Sequence, residues 1–310
     1  NNKNQRKVLL TIDDGFSSFY ENAWPILKKK KIPFILFVST REVGSKNYMT
    51  WDQIRELDKE NFVEIGNHSH THEYLVDESN EVIKNDIEKS ISIFKNQLGR
   101  NSIFFSYPFG EYSLEFKNIL QSLGFKYAFG QHSGVLDETK DLYELPRFPI
   151  NEKYGEIKRF NSLTKTLPFK YKKVTPKEKY LLQEKNPPKV KIEFYENIAN
   201  LKSVTCYSNE GNRWRKSDTK FENLYLVDFN ELNIEDFAKV IPRFQILKNL
   251  QIIDSNLELS SKLFIKFETT EDEMQKKELN LNLHSLTIQK NIVDFEHDKY
   301  IDAFLLLFQS

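Results

Sequence analysis

Short apolar runs, each separated from the next by a stretch with helical periodicity, make up the first 130 or so residues of the chain. The run Phe34–Val38 contains no polar residue at all. A strand that is apolar at every position needs cover on both faces, and helices between such strands imply parallel βαβ units. The pattern therefore predicts an α/β fold, and it leaves open whether the strands form a barrel or an open, doubly wound sheet.

We expect five strands in this region, with helices between them. The predicted strands are Val8–Ile12, Phe34–Val38, Phe62–Ile65, Ile103–Tyr107 and Tyr127–Phe129. Helices are predicted at about 18–31, after Thr50, from Ser79 to Gly99, and at about 114–123.

The sequence after residue 150 follows other patterns. Residues 153–191 carry 12 Lys or Arg against 3 Asp or Glu. This composition predicts a basic, proline-containing linker over 161–189, or else a positive rim that attracts an anionic glycan or a membrane surface. Apolar residues at every second position then predict a β-rich, sandwich-like accessory domain over 190–310, which leaves 1–160 as the α/β domain.

Charge and composition argue against several classes of protein. The 45 Lys and Arg balance the 45 Asp and Glu, so the basic surplus typical of a nucleic-acid binder is missing and no nucleic-acid partner is expected. The single cysteine, Cys206, excludes an intrachain disulfide and a cysteine-based metal knuckle. The longest apolar runs, such as Phe304–Phe308, fall far short of the roughly 20 residues that a spanning helix needs, so no integral membrane span is expected.

Two polar clusters follow predicted strands, at the edge where loops of parallel α/β folds converge. Asp13 and Asp14 end the first strand; by themselves they would also suit a simple Asp-Gly turn. His68 and His72 end the third strand and are four residues apart, so a helical turn would place both imidazoles on one face and turn His70 elsewhere. Two imidazoles and the carboxylate of Asp14 suit Zn²⁺, with Co²⁺, Ni²⁺ or Fe²⁺ as alternatives.

A third cluster, Ser106–Gly110, follows the fourth predicted strand. Its Pro and Gly indicate a tight loop whose backbone N–H groups could face a developing oxyanion.

Together the three clusters resemble the motifs of the polysaccharide deacetylases, the carbohydrate esterase family that has the NodB homology domain. The family's T-F-D-D-G motif corresponds to Thr11–Gly15, and its H-[ST]-x-x-H motif corresponds to His68–His72. Its Arg-x-Pro-[Phe/Tyr] motif corresponds to Ser106–Phe109. The resemblance covers about residues 6–150 and implies a distorted (β/α) barrel.

The resemblance also implies a role for each residue of the site. Asp14, His68 and His72 would bind a divalent metal ion, and Asp13 would be the general base that takes a proton from the attacking water. The backbone N–H of Phe109 would stabilise the oxyanion. The implied reaction is the metal-dependent hydrolysis of N-acetyl groups on an aminosugar polymer.

Two positions depart from the family's motifs. The arginine that orients the base falls on Ser106, and Arg147 could supply the missing guanidinium from another strand end. The late Leu-x-His motif, which provides the general acid, has no clear match. His132 is the only histidine left in the first domain after the 68–72 cluster, which makes it the candidate for this role.

The expected substrate is an N-acetylated polysaccharide: poly-N-acetylglucosamine, peptidoglycan or a chitin-like chain. Two alternatives remain open, a catalytically weakened glycan-binding protein on a deacetylase scaffold and a deacetylase of another substrate such as acetyl xylan. The chain begins without Met, which we interpret as the loss of a signal or anchor. With the resemblance, this predicts an extracytoplasmic location in the periplasm, at the cell surface or in the medium.

Overall fold

A computed structural model describes residues 6–151, 154–169, 171–182, 188–194, 201–210, 213–217, 219–221, 226–229, 258–269, 277–287 and 303–309. The chain divides into two compact units. Unit 1 comprises Asn1–Pro168 with Glu296–Ser310, and unit 2 comprises Phe169–Phe295. No helix within the described ranges has the length and apolar character needed to cross a bilayer.

The described elements are numbered in chain order. The strands are β1 (Arg6–Ile12), β2 (Phe34–Val38), β3 (Val63–Asn67), β4 (Phe104–Ser106), β5 (Tyr127–Phe129), β6 (Val135–Leu136), β7 (Phe148–Ile150), β8 (Lys173–Thr175), β9 (Tyr180–Leu181), β10 (Lys191–Glu193), β11 (Leu201–Glu210), β12 (Arg213–Ser217), β13 (Thr219–Phe221), β14 (Leu226–Phe229), β15 (Glu258–Thr269), β16 (Lys277–Thr287) and β17 (Ala303–Gln309). The α-helices are α1 (Trp24–Lys30), α2 (Trp51–Asp58), α3 (Asn80–Leu98), α4 (Leu114–Ser122) and α5 (Ile157–Leu163).

Unit 1 is built on one eight-stranded sheet. Strands β5, β4, β3, β2 and β1 are adjacent in that order, and all of these pairs are parallel. Strand β17 continues the sheet antiparallel to β1, and β6 and β7 both pair with β17. The predicted α/β class is therefore confirmed, with parallel strands as the continuous apolar runs require.

The sheet is strongly curved. Leu36 of β2 packs outward against α1 and α2, whereas Phe37 packs inward. The ring centroids of Phe37 and Phe129 of β5 lie 5.3 Å apart, although two strands separate β2 from β5. Adjacent strands are about 4.8 Å apart, so this contact needs a sheet that curls towards its inner face. The fold is thus a distorted (β/α) barrel, which decides between the two architectures left open by the sequence.

The helices begin and end at residues with identifiable capping roles. Thr50 and Gln53 form a reciprocal capping box at the start of α2, with Gln53 Oε1 accepting from Thr50 N at 2.8 Å. Ser79 Oγ accepts from Val82 N at 3.4 Å at the start of α3. Gly99 ends α3 in the left-handed conformation, with φ of 72°.

The helix predicted at 18–31 is not continuous. A π-helical turn, Phe19–Ala23, precedes α1, and Pro25 lies in the first turn of α1. Proline has no N–H to donate to the preceding turn, so a regular α-helix cannot run through this position.

The described part of unit 2 contains two sheets. One of its sheets has the order β13-β14-β10-β8, and the other has the order β12-β11-β15-β16-β9. Strands β8 and β9 lie inside the predicted linker 161–189, where the apolar Val174 and Leu181 are buried among basic residues.

The last strand departs from the predicted domain limits. We expected 190–310 to form one domain, but β17 pairs along the whole of β1 in unit 1, from Arg6↔Gln309 to Ile12↔Ala303. Its run Phe304–Phe308 is apolar throughout, the pattern of a strand inside a covered sheet rather than of one with a wet face.

Candidate active site

In the turn after β1, the adjacent side chains of Asp13 and Asp14 point in different directions. Asp14 has a left-handed backbone with φ of 73°, and Gly15 follows with φ of 81°. The turn is closed by Gly15 N, which donates to Asp13 O at 3.0 Å. Asp13 is buried, and the carboxylate of Asp14 faces His68 in the loop after β3.

Asp14, His68 and His72 bring three potential ligand atoms together. Asp14 Oδ1 lies 3.4 Å from His68 Nε2 and 3.2 Å from His72 Nε2, and the three atoms all lie within 4.8 Å of one another. In a tetrahedral site with bonds of about 2.0–2.1 Å, ligand atoms are about 3.3–3.4 Å apart. The donor set and two of its spacings therefore fit a divalent transition metal ion such as Zn²⁺.

The histidine loop, residues 68–72, reaches this arrangement without the helical turn that we expected. Ser69 and His72 both adopt left-handed conformations, with φ of 70° and 54°. His70 turns away from the other two imidazoles, and its Nδ1 lies 2.9 Å from Thr40 Oγ1. His68 and His72 do lie close together, as their four-residue spacing predicts. The irregular backbone of the loop, rather than a helical turn, orients both imidazoles towards Asp14.

Hydrogen bonding selects the nitrogen of His68 that faces Asp14. His68 Nδ1 lies 2.7 Å from the carbonyl of Ser106, so Nδ1–H donates there and Nε2 keeps its lone pair. Burial lowers the pKa of His68, but the carboxylates of Asp13 and Asp14 outweigh it, so the net pKa shift is upward. Desolvation lowers the pKa of His72, which favours the neutral form of its imidazole.

Arg147 holds Asp13 from the opposite side. Its Nη1 and Nη2 donate to Asp13 Oδ1 and Oδ2, both at 2.8 Å, and the guanidinium is fully buried. Ser106 Oγ accepts from Arg147 Nη2 at 2.9 Å and donates to Asp13 Oδ2 at 3.2 Å. Arg147 thus places a guanidinium against Asp13, and Ser106 bridges the two side chains.

Phe109 lies beside His72 in a tight turn. Gly110 N donates to Tyr107 O at 2.8 Å, and Phe109 has a left-handed φ of 58°. The Phe109 ring is 43% exposed, and its centroid is 4.9 Å from that of His72. The turn therefore lies against the ligand group, as its position after β4 predicts.

His132 packs against Tyr112. Its ring centroid is 6.1 Å from that of Tyr112, and its carbonyl accepts from Arg147 N at 2.8 Å. Among the described residues, the group with metal-ligand spacing contains Asp14, His68 and His72 but not His132.

Residues 1–128 match the sequence profile of the family named polysaccharide deacetylase. The match covers less than half of the chain, and within it the chain is similar to this family. The similarity implied by the three motifs is therefore confirmed for residues 1–128.

The individual relatives are distant. The chain is 28% identical over 172 residues to the poly-beta-1,6-N-acetyl-D-glucosamine N-deacetylase of Staphylococcus aureus, a match over 51% of this chain and 59% of that protein. It is 24% identical over 147 residues to the Bacillus subtilis protein YxkH, over 47% of this chain and 52% of the relative. The chain thus spans a little over half the length of these two curated relatives.

A solved structure also aligns with part of the chain. It is the Streptococcus pyogenes deacetylase PplD in complex with acetate, with 28% identity and a TM-score of 0.42. The alignment covers 44% of this chain and 61% of that one.

One buried polar residue of unit 1 belongs to none of the three motifs. Asp86 lies on α3 between the buried Ile83 and Ile87, and it is itself buried. A carboxylate on the apolar face of an amphipathic helix needs a partner, and that position in the pattern was the available signal.

Proposed function

We propose that this chain is a metal-dependent hydrolase that removes N-acetyl groups from an aminosugar polymer. The observation that carries the proposal is the approach of three ligand atoms to within 4.8 Å of one another, at the edge of the sheet where Asp13 is also held. The candidate polymers are poly-N-acetylglucosamine, peptidoglycan and chitin-like chains. The 28% identity to a poly-beta-1,6-N-acetyl-D-glucosamine N-deacetylase favours the first.

Asp14, His68 and His72 would hold the metal, with Zn²⁺ as the best match and Co²⁺ or Ni²⁺ as substitutes. A divalent cation held there supplies a Lewis acid, which polarises the acetamide carbonyl and makes water more acidic. His68 presents Nε2 because its Nδ1 is committed to the Ser106 carbonyl at 2.7 Å.

Asp13 would act as the general base. Its two oxygens each accept from Arg147 at 2.8 Å, which fixes the plane of the carboxylate. The guanidinium also places a positive charge beside the buried carboxylate, which compensates part of the cost of burying it. Proton transfer of this kind contributes about 10²–10⁴-fold to rate.

Phe109 and His132 are proposed for the two remaining tasks. The peptide N–H of Phe109 is not used in the bond that closes its turn, and it would donate to the oxyanion that develops from the acetamide carbonyl. The departing sugar amine needs a proton, and His132 is our candidate donor. Its ring packs against that of Tyr112, with centroids 6.1 Å apart.

A substrate of this kind would be met outside the cytoplasm, and we propose that location for the protein. The balanced charge of the chain gives no support to a nucleic-acid partner.

Measurement of acetate release tests the proposed reaction. The purified protein is incubated with oligomers of poly-β-1,6-N-acetylglucosamine, chitin oligomers, peptidoglycan fragments and acetyl xylan, with and without a chelator. We expect acetate from at least one N-acetylated glycan, lost on chelation and restored by Zn²⁺ or Co²⁺, and none from an Asp13→Asn variant. Glycan binding without acetate release would instead support the glycan-binding alternative, and release from acetyl xylan alone would identify an esterase.

A further inference from the structure

The carboxylate of Asp86 is hydrogen-bonded to the middle of the histidine loop. Asp86 Oδ1 accepts from His70 N at 2.7 Å. Its Oδ2 accepts from Thr71 N at 3.0 Å and from Thr71 Oγ1 at 2.6 Å. One buried side chain of α3 thus accepts three hydrogen bonds from the two residues immediately before His72.

These bonds replace what regular secondary structure would provide. The loop is neither helix nor strand, so the N–H groups of His70 and Thr71 depend on a side chain for an acceptor. Ser69 and His72 have left-handed φ values of 70° and 54°, which non-glycine residues rarely adopt. The surroundings must therefore hold the conformation in which the imidazoles face Asp14.

A second residue of α3 contacts the start of the loop. Ser90 Oγ lies 3.2 Å from Ser69 O and 3.0 Å from Asn67 Oδ1. Asp86 and Ser90 are four residues apart and so lie on one face of α3, one turn from each other. The histidine loop is thus fixed to a rigid helix at two points, of which Asp86 makes the more extensive contact.

We propose that Asp86 is a positioning residue that preorganises His68 and His72 for metal binding. This inference rests on the proposed metal site and names no new ligand. The carboxylate acts through the backbone of the loop, because it bonds to the peptide groups rather than to the imidazoles. Without it, the loop would populate other conformations, and part of the binding free energy would be spent on ordering the ligands.

The affinity for Zn²⁺ tests this role without any substrate. Asp86→Asn places an amide NH₂ group against the donors of the loop, so one or more of the three hydrogen bonds is lost. We expect Zn²⁺ affinity, measured by competition with a chromophoric chelator, to fall about 10–100-fold, the usual range for residues that orient metal ligands. The visible spectrum of the Co²⁺-loaded protein should change in intensity.

Two matched variants on the same helix serve as controls. Ile87→Val disturbs the packing of α3 next to Asp86 without touching the loop, and Glu88→Gln removes an exposed carboxylate that pairs with Lys84. Both should keep the wild-type affinity for Zn²⁺, even if Ile87→Val lowers the thermal midpoint. If Asp86→Asn lowers the thermal midpoint but leaves Zn²⁺ affinity and the Co²⁺ spectrum unchanged, Asp86 is only structural and the proposal is overturned.

The variant Thr71→Val covers the case in which Asp86→Asn does not fold. It removes one of the three donors and should weaken Zn²⁺ binding to a smaller extent. Where Asp86→Asn does fold, the two losses in the double variant should combine to less than their product, because both remove the same contact. Wild-type affinity in Thr71→Val, or independent effects in the double variant, would count against positioning through Thr71.

The outcome separates this inference from the proposed reaction. A wild-type protein that binds Zn²⁺ but releases no acetate would contradict the proposed function and leave the role of Asp86 open to the same measurements. If the wild-type protein binds no metal ion, both the proposed reaction and the positioning role of Asp86 are contradicted.

Discussion

Asp13 and Arg147 are 134 residues apart in the sequence and face each other through two hydrogen bonds of 2.8 Å. The same guanidinium donates to Gly130 O at 2.8 Å and to Thr11 Oγ1 at 3.1 Å. Arg147 therefore joins β1 to the segments that follow β5, and it fixes the orientation of Asp13. A single side chain carries out both tasks, so its substitution should affect activity and stability together.

Arg147→Lys should lower kcat for acetate release about 100-fold with little change in KM. An ammonium group cannot donate to both oxygens of Asp13 in the planar geometry of a guanidinium, and small misplacements of a reacting group can cost this much. Steady-state kinetics on an acetylated oligomer measure the effect. Arg159→Lys is the control, because Arg159 donates to the carbonyls of Pro149 and Tyr154, away from Asp13. Wild-type kcat in Arg147→Lys would contradict a role in orienting the base.

His72→Ala should abolish stoichiometric binding of Zn²⁺ and acetate release together. The change removes one of three donors, and the two that remain, Asp14 and His68, make an incomplete site. Elemental analysis after loading and dialysis measures metal content. His70→Gln is the matched control, since His70 bonds to Thr40 and lies outside the ligand group, so it should retain one ion per chain. Equal metal content in His72→Ala and the wild type would be incompatible with this ligand set.

Gly66→Ala should destabilise the protein by about 1–3 kcal/mol, the usual cost of overpacking a core. An added Cβ would lie 2.3 Å from Cδ1 of Phe37, whose ring is fully buried. Phe37 also lies beneath Arg147, with 5.7 Å from its ring to Arg147 Cζ, so activity should fall as well. Denaturant unfolding measures the free energy. Phe37→Leu combined with Gly66→Ala should recover part of the loss, and the absence of any recovery would assign the effect to another cause.

Glu56→Gln should reduce stability at neutral pH but have little effect at pH 2. The hydroxyl of Tyr20, the ammonium group of Lys28 and the indole of Trp24 donate to Glu56, and they lower its pKa from an ordinary value near 4.5 to about 2. A carboxyl with a lowered pKa stabilises the folded state above its unfolded pKa, and this contribution is lost as the pH falls from about 4.5 through about 2. The partial exposure of Glu56 keeps the effect modest.

Thermal unfolding of the wild type and Glu56→Gln across pH 2–7 measures this difference. The two midpoints should converge as the pH falls. Glu60→Gln is a suitable control, because the Glu60 carboxylate lies 3.4 Å from the same Lys28 ammonium group. A constant difference between wild type and Glu56→Gln over the whole range would show that the charge of Glu56 does not contribute.

Local signals in the sequence predicted much of unit 1. The run Phe34–Val38 has the composition of a strand covered on both faces, and its bounds match β2. Thr50 and Ser79 cap helices because their side-chain oxygens accept from the backbone three residues later. Such interactions span a few residues, so they can be deduced from the order of residues alone.

Other features were outside the reach of local patterns. The periodicity at 18–31 predicts one continuous helix, but Pro25 interrupts it at the start of α1. The return of β17 to the first sheet depends on pairing between residues such as Ile12 and Ala303, at opposite ends of the chain. Strand pairing at that separation has no local signature, and alternation within a strand does not identify its neighbour.

The sequence by itself determined which side chains are candidates for metal binding and acid–base chemistry, because residue type fixes what Asp13, Asp14, His68 and His72 can donate or accept. Only the tertiary structure decided how these four side chains are oriented relative to one another. The left-handed backbone at Asp14, Ser69 and His72 and the buried contacts of Arg147 and Asp86 set those directions. Such contacts arise from the meeting of distant strands and helices, where burial makes each polar group require a partner.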